Sequence, residues 1–227
     1  MVRVQSRLPI SVAPDEIITT HDPDSVVKEY SATAKDYDEK WSFYVDSTTR
    51  ATLSRLHMRP DDRVLDIGCG TGELLSRLAA KYPAASLAGL DPVPEMLAIA
   101  KEKVSDRVEL RHGWADELPW KDASFDVVVS CNVFHYVVRP VAAIREMERV
   151  LRPGGQIVIT DWCDDYLACR ICSLYLRMTS RAHYKTYRQK ECLTLLHEAG
   201  HTDAKVERYK ISWLWGLMTA RATKAAV

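Results

Sequence analysis

The sequence predicts an α/β fold: a doubly wound, mostly parallel seven-stranded sheet with an antiparallel edge strand, an N-terminal helical cap and a helical lid insertion. Three observations carry this. Short β-rich runs alternate with helices of about ten residues from Arg63 to Thr160, the grammar of βαβ units. Phe125 to Ser130 is an almost continuous apolar run, as in a strand buried on both faces. A glycine-rich turn stands where the first strand meets the first core helix.

In chain order, residues up to about Ala13 read as a loose tail, and two helical patterns follow between Pro23 and Met58. The first carries Val27, Tyr30, Ala34 and Tyr37, and the second Trp41, Tyr44, Val45, Ala51, Leu53 and Leu56, with Pro60 closing it. Strands are expected at 63–67, 86–90, 108–111, 125–130 and 156–160, separated by helices at 74–82, 94–103 and 140–151. After Asp161 the pattern breaks into a segment rich in Cys, Tyr, Leu and Arg, read as a helical insertion over the carboxyl edge of the sheet, the substrate lid. A helix at 189–199 ends at Gly200, and strands near 204–209 and 211–218 form an edge hairpin. The chain therefore divides as one domain over 1–227: cap 14–58, core 59–161, lid 162–187, and last helix with edge strands 188–227.

Bulk properties narrow the function classes. Lys plus Arg equals Asp plus Glu at 31 each, and a chain docking on nucleic acid usually carries a basic excess to neutralise phosphates. No apolar run is long enough to cross a bilayer, and MVRVQSRLPISVAP lacks the apolar core of a signal peptide. The six cysteines are too dispersed for a secreted disulfide framework, so a cytoplasmic location is expected. The partner is read as a small-molecule substrate, with no nucleic acid and no membrane span, and a homodimer is left open.

The informative stretch is Val64-Leu65-Asp66-Ile67-Gly68-Cys69-Gly70-Thr71-Gly72-Glu73. Its third glycine follows the second by two residues, where the dinucleotide fingerprint needs three. Asp66 at the strand end would repel a pyrophosphate but suits a ligand bearing an amino group and a sulfonium. Nineteen residues past Gly72 lies Asp91, also at a strand end, where a carboxylate either caps a helix or accepts both ribose hydroxyls of a nucleoside.

Together with Leu90-Asp91-Pro92, Met96-Leu97, Glu117-Leu118-Pro119-Trp120, Ser124-Phe125-Asp126 and Val150-Leu151-Arg152-Pro153-Gly154-Gly155, this stretch resembles the class I S-adenosylmethionine-dependent methyltransferases. The likeness is to the small-molecule branch, with its type 11 methyltransferase domain and quinone-biosynthesis C-methyltransferases, and it covers about Tyr30 to Ile159. It implies S-adenosyl-L-methionine as cofactor. Gly68, Cys69 and Gly70 would pack against the methionine half while Asp66 orients its amino group. Asp91 would hold the ribose, and Pro92, Val93 and Met96 would lie against the adenine. Cys131 and Asn132 would end the fourth strand beside the methyl, and Tyr37, in the Tyr37-Asp38 pair, would close over the cofactor. One departure stands out: relatives place an aspartate after the glycine matching Gly113, and this chain has Trp114, with Ala115 and Asp116 following. Either Asp116 compensates or Trp114 supplies stacking area.

Methyl transfer is an in-line displacement that needs positioning and exclusion of water, and a base only where the acceptor must lose a proton. His135, a few residues past the fourth strand, is the first candidate base, against packing at a helix start; His183 is a second. Tyr30 and Trp41 either wall the pocket or pack in the core. Trp162, Tyr166, Leu174, Tyr175 and Leu176 of the lid suggest an uncharged or aromatic acceptor, whereas Arg170, Arg177 and Arg181 would suit an anionic one. Cys169 and Cys172, three apart on one helical face with Cys163 nearby, raise methylation of a thiol or a metalloid such as arsenite, against ordinary packing; no zinc-type ligand spacing is present and no metal is expected. The rival classes are a nucleotide-cofactor-binding module without transfer activity and a nicotinamide-dependent oxidoreductase.

Overall fold

A computed structural model describes residues 23–104 and 106–226. The expected tail up to Ala13 and the first part of the cap, 14–22, lie outside the described residues. Helix α1 (Pro23–Thr33) runs into a 3₁₀ turn at Ala34–Asp36, the short α2 (Tyr37–Lys40) and then α3 (Ser42–Leu53). The core follows as β1 (Arg63–Ile67), α4 (Glu73–Lys81), β2 (Ser86–Asp91), α5 (Pro94–Lys103), β3 (Glu109–His112), β4 (Phe125–Cys131), α6 (Pro140–Val150) and β5 (Leu151–Trp162). The chain continues through α7 (Leu167–Thr179), α8 (Gln189–Glu198), β6 (Lys205–Lys210) and β7 (Gly216–Thr223).

The sheet has seven strands in the order β3-β2-β1-β4-β5-β7-β6. The pairings of β1 with β2 and β4, of β2 with β3 and of β4 with β5 are parallel, and β7 runs antiparallel between β5 and β6. Alternation along the strands feeds two apolar layers, because successive side chains leave opposite faces of a strand. Leu65, Ile67, Val128, Ile157 and Ile159 meet Ile144 and Met147 of α6 and Leu196 of α8. Val64, Val127, Val129 and Val158 meet Leu74, Leu75 and Leu78 of α4 on the other face. Helices on both faces explain why β4 reads as an apolar run rather than an alternating one.

Two strand starts differ from expectation by five residues. Strand β5 begins at Leu151, five residues before the expected start, because Gly154 donates to Lys224 O and Lys224 donates to Gly155 O, carrying Pro153-Gly154-Gly155 as strand. The last strand begins at Gly216, not near Ile211: Ser212 Oγ accepts amides from Leu214 and Trp215 and turns the chain first. The insertion after β5 is helical, as α7, and packs through Cys172 and Leu176 against Trp162, Tyr44 and Leu217. Among the described residues no helix is long and apolar enough to cross a membrane.

Candidate active site

Strand order reverses between β1 and β4, and the crevice at their carboxyl ends is where open α/β sheets bind ligands. A cavity of about 410 Å³ opens there. Its floor is the turn after β1. Gly68 and Cys69 both donate to Leu90 O, at 2.7 and 3.0 Å, tying the turn to the end of β2. Gly68 has φ 70°, and a Cβ there would come within 2.4 Å of the Val133 side chain, so only glycine lets the turn press against the exit of β4.

Two carboxylates face the cavity from adjacent strand ends. Asp91 Oδ2 accepts the Gly70 amide at 2.8 Å and Oδ1 the Val93 amide at 2.9 Å, so it braces the turn and the start of α5 together. Burial pushes its pKa up to about 6 against the pull of those amides. Asp66 is 1% exposed, and its Oδ1 has no hydrogen-bond partner although it lines the cavity. Burial, then the charge of Asp91, pushes its pKa up to about 8. A buried carboxylate oxygen without a partner costs stability unless something outside the chain pairs with it.

The cap closes one side. Asp38 accepts from Thr71 Oγ1 at 2.6 Å and pairs with Lys103 at 2.5 Å, clasping α2 to the glycine turn. This holds Tyr37 on the cavity wall. The hydroxyls of Tyr30 and Tyr136 meet at 2.5 Å across the cavity mouth, and burial raises the pKa of both phenols, keeping them neutral.

Beyond the turn, Asn132 sits in the left-handed region at φ 63°. Its Oδ1 accepts from Tyr44 at 2.8 Å and its Nδ2 donates to Thr48 Oγ1 at 2.7 Å. Trp162 Nε1 donates in turn to the Tyr44 hydroxyl. Cys131 Sγ lies 3.2 Å from Thr52 Oγ1, and burial pushes its pKa up to about 12, so it is a thiol and not a thiolate nucleophile. The buried face of α3 is therefore Tyr44, Thr48, Thr49 and Thr52, a polar wall against the end of β4.

The structure brings Tyr30, Tyr37, Asp66, Gly68, Cys69, Gly70, Asp91, Pro92, Val93, Met96, Trp114, Ala115, Asp116, Cys131 and Asn132 onto this one cavity. Asp116 also pairs with Arg139 at 2.7 Å, while Trp114 stays 36% exposed at the rim. The candidate bases are elsewhere. His135 is buried behind the wall, where its backbone amide and Nδ1 both bond Asp161, at 2.8 and 2.7 Å, and its ring stacks on Trp162. His183 lies 3.3 Å from Ser173 Oγ and 5.5 Å from the His135 ring, also off the wall. Trp41 is exposed on the surface rather than walling the pocket.

None of the insertion's residues reaches this wall either: Trp162, Tyr166, Leu174, Tyr175 and Leu176 lie off the cavity, as do Arg170, Arg177 and Arg181. Cys169 Sγ donates to Gly216 O at 3.2 Å and accepts the Gly216 amide at 3.3 Å, a structural role. Among the described residues no cluster of three His, Cys, Asp or Glu is arranged to hold a metal. Sequence reasoning did not assign Val26, Val45, Thr49, Tyr136, Val137 or Val138 to the site, although all six line the wall. The signals were present: Tyr136 adjoins His135, and Thr48, Thr49 and Thr52 share one helical face.

Residues 65–159 match the family described as a methyltransferase domain. The match runs from β1 into β5 and takes in the glycine turn and both strand-end carboxylates. The chain is 32% identical over 166 residues to 27-O-demethylrifamycin SV methyltransferase of Amycolatopsis mediterranei, covering 64% of this chain and 61% of that protein. It is 32% identical over 128 residues to the ubiquinone/menaquinone biosynthesis C-methyltransferase UbiE of Geotalea daltonii, covering 53% and 54%. The chain thus spans between half and two thirds of the length of these curated relatives. Among solved structures it resembles Haemonchus contortus phosphoethanolamine N-methyltransferase 2 in complex with S-adenosyl-L-methionine, at TM-score 0.73 and 18% identity over 94% of this chain and 61% of that one. The [4+2]-cyclase SpnF aligns at TM-score 0.72 and 18% identity over 89% and 96%. Likeness at this level shows the fold, and the chemistry is argued from the site.

Proposed function

We propose that the chain transfers a methyl group from S-adenosylmethionine to a small, uncharged or aromatic acceptor, with the cavity between the cap and the ends of β1 and β4 as the active site. The observation that carries this is the charge of the wall. Asp66, Glu73, Asp91, Asp116 and Glu117 line it against Arg139 alone, which is itself paired with Asp116. Such a wall suits the ammonium and sulfonium charges of the cofactor and offers no unpaired cation to an anionic acceptor. The unpartnered Asp66 Oδ1 is where the ammonium would bond.

When bound, the cofactor supplies an electrophilic methyl on a sulfonium. In this reading Gly68, Cys69 and Gly70 hold the methionine half by their backbone, and Asp91 uses its remaining lone pairs on the ribose hydroxyls. Pro92, Val93 and Met96 present the apolar surface for the adenine, with Trp114 and Ala115 at its edge. Tyr37, held by the Asp38 clasp, closes over the methionine end. Asn132, fixed by Tyr44 and Thr48, orients the acceptor beside Cys131. Val26, Tyr30, Val45, Tyr136, Val137 and Val138 form the acceptor's surroundings and exclude water. The wall holds no histidine among the described residues, so the reading favours acceptors that react without a strong base. Relatives named for 27-O-demethylrifamycin SV and for quinone biosynthesis support the same acceptor class. The six free cysteines support a cytoplasmic location.

The test is release of S-adenosylhomocysteine across a panel of quinols, phenols and thiols set against phosphorylated and carboxylated metabolites. Turnover in the uncharged group is expected. Turnover with anionic acceptors alone would overturn the acceptor class.

A further inference from the structure

We propose that α7, with the β6–β7 loop beside it, is a docking face for an anionic lipid surface. An apolar stripe along the outer face of α7 stands in water. Leu167 is 73% exposed, Ile171 61%, Leu174 60%, Tyr175 61% and Met178 72%. At 100° per residue these positions fall in one stripe, opposite the buried Cys169 and Ser173 and the packed Cys172 and Leu176. Isolated exposed apolar residues need no explanation, but a continuous stripe along a whole helix does. Trp213, 85% exposed, stands on the loop whose Trp215 and Gly216 pack against the inner side of α7 and its neighbours.

Charge decides the occupant. The whole chain is balanced at 31 basic and 31 acidic residues, yet from Tyr166 to Lys190 there is no Asp or Glu and there are six basic residues. Of these, Lys185 pairs with Glu191 and Arg188 with Asp164. Arg170, Arg177 and Arg181 are exposed and form no ion pair among the described residues. Arg170 and Arg177 fall along one edge of the apolar stripe, where long cationic side chains reach headgroup phosphates while the stripe enters the acyl boundary. At 13 residues α7 is too short to cross a bilayer and would lie in its surface. A second copy of the chain fits less well: a two-fold interface over this stripe would bring the arginines of both copies together, and the nearby Asp164 and Asp165 are already paired with Arg188 and Arg208. The face lies off the cavity wall, so docking leaves the active site unobstructed, with an apolar acceptor available from the same surface.

The test is co-sedimentation of the full chain with phosphatidylcholine vesicles and with vesicles containing phosphatidylglycerol, read as partitioning and independent of methyl transfer. The full chain should partition about tenfold or more in favour of the anionic vesicles and lose this at high salt. Ile171→Glu with Leu174→Glu should reduce partitioning about tenfold or more, and Arg170→Gln with Arg177→Gln should abolish the preference for anionic lipid. All four positions are exposed, so melting temperatures should hold and separate lost docking from lost folding. Equal partitioning to both vesicles, or none, would overturn the proposal. So would a concentration-dependent dimer that the Ile171→Glu, Leu174→Glu variant dissociates, or vesicle binding that appears only after residues 1–22 are removed, since these assign the stripe to a second copy or to the chain's own amino-terminal segment.

Discussion

The carboxyl ends of β1 and β2 and the outer face of α7 break the inside-out rule in opposite directions. At the strand ends two carboxylates are buried, Asp66 at 1% and Asp91 at 6% exposure, and one oxygen of Asp66 has no partner. On α7 an apolar stripe stands in water with arginines along its edge. A scaffold satisfies buried polar atoms and hides apolar ones, so both regions are incomplete as the chain alone. They are incomplete in complementary ways. As proposed, the first would take a cation small enough for a cavity of about 410 Å³, and the second a broad apolar, anionic surface. A residue that violates the folding rules for one half of the molecule is thus informative about what that half meets.

The comparison is broken most sharply at Asp66. Asp66→Asn should weaken S-adenosylhomocysteine binding by about a hundredfold, since a charge-assisted hydrogen bond to ammonium is lost in a buried site. The same change should raise the melting temperature of the ligand-free protein at neutral and alkaline pH. The sign follows from a carboxyl whose pKa is about 8 when folded and in the ordinary carboxylate range when unfolded. Above that ordinary range the unfolded chain gains by ionising and the folded chain does not, so stability falls as pH rises until about 8. Asparagine removes that fall, and scanning calorimetry across pH checks it.

Asp91→Ala should cost roughly 1.5–3 kcal/mol of binding, about ten- to a hundredfold, by loss of the ribose hydrogen bonds. Unlike Asp66→Asn it should also lower the melting temperature, because the Gly70 and Val93 amides lose their acceptor. Opposite stability signs at neighbouring carboxylates would sharpen the distinction between a group waiting for a ligand and one that also braces the fold. Titration calorimetry with unchanged affinity would remove Asp91 from the cofactor site.

A smaller effect is expected at the cap. Tyr30→Phe or Tyr136→Phe breaks the hydroxyl pair across the cavity mouth and should raise KM for the acceptor several-fold while leaving cofactor affinity within about threefold. Amide exchange over residues 23–45 should slow on adding S-adenosylhomocysteine, and unchanged exchange would mark the cap as static. The smallest effect belongs to α7: Leu174→Ser should change stability by less than about 0.5 kcal/mol, as checked by urea unfolding. A large loss would mean that the stripe is packed after all.

The strands from β1 to β4 and the glycine turn on the cavity were legible because their determinants are local: apolar runs, glycines at a strand exit, and carboxylates at strand ends. The acceptor side was not. His135 looked like a base because it follows β4 closely, but a partner 26 residues away in sequence, Asp161, draws it behind the wall. The insertion looked like a lid because it follows β5 at the carboxyl edge, whereas packing onto Trp162, Tyr44 and Leu217 carries it to the β5–β7 side, away from the cavity. The start of β7 was misjudged for a similar reason, since the Ser212 side chain and an Ile211 N–H to Trp215 O bond close a turn that delays it. What the sequence did not display in each case was a tertiary partner.

Calorimetric titration of the full chain with S-adenosylhomocysteine at pH 7, repeated in buffers of different ionisation enthalpy, tests the central claim most directly. Asp66, held neutral up to about 8 in the empty cavity, must ionise to pair with the ligand's ammonium group. Binding should therefore release close to one proton, and Asp66→Asn should bind more weakly and release none. Tight binding with no proton released, the same in wild type and Asp66→Asn, would contradict the account.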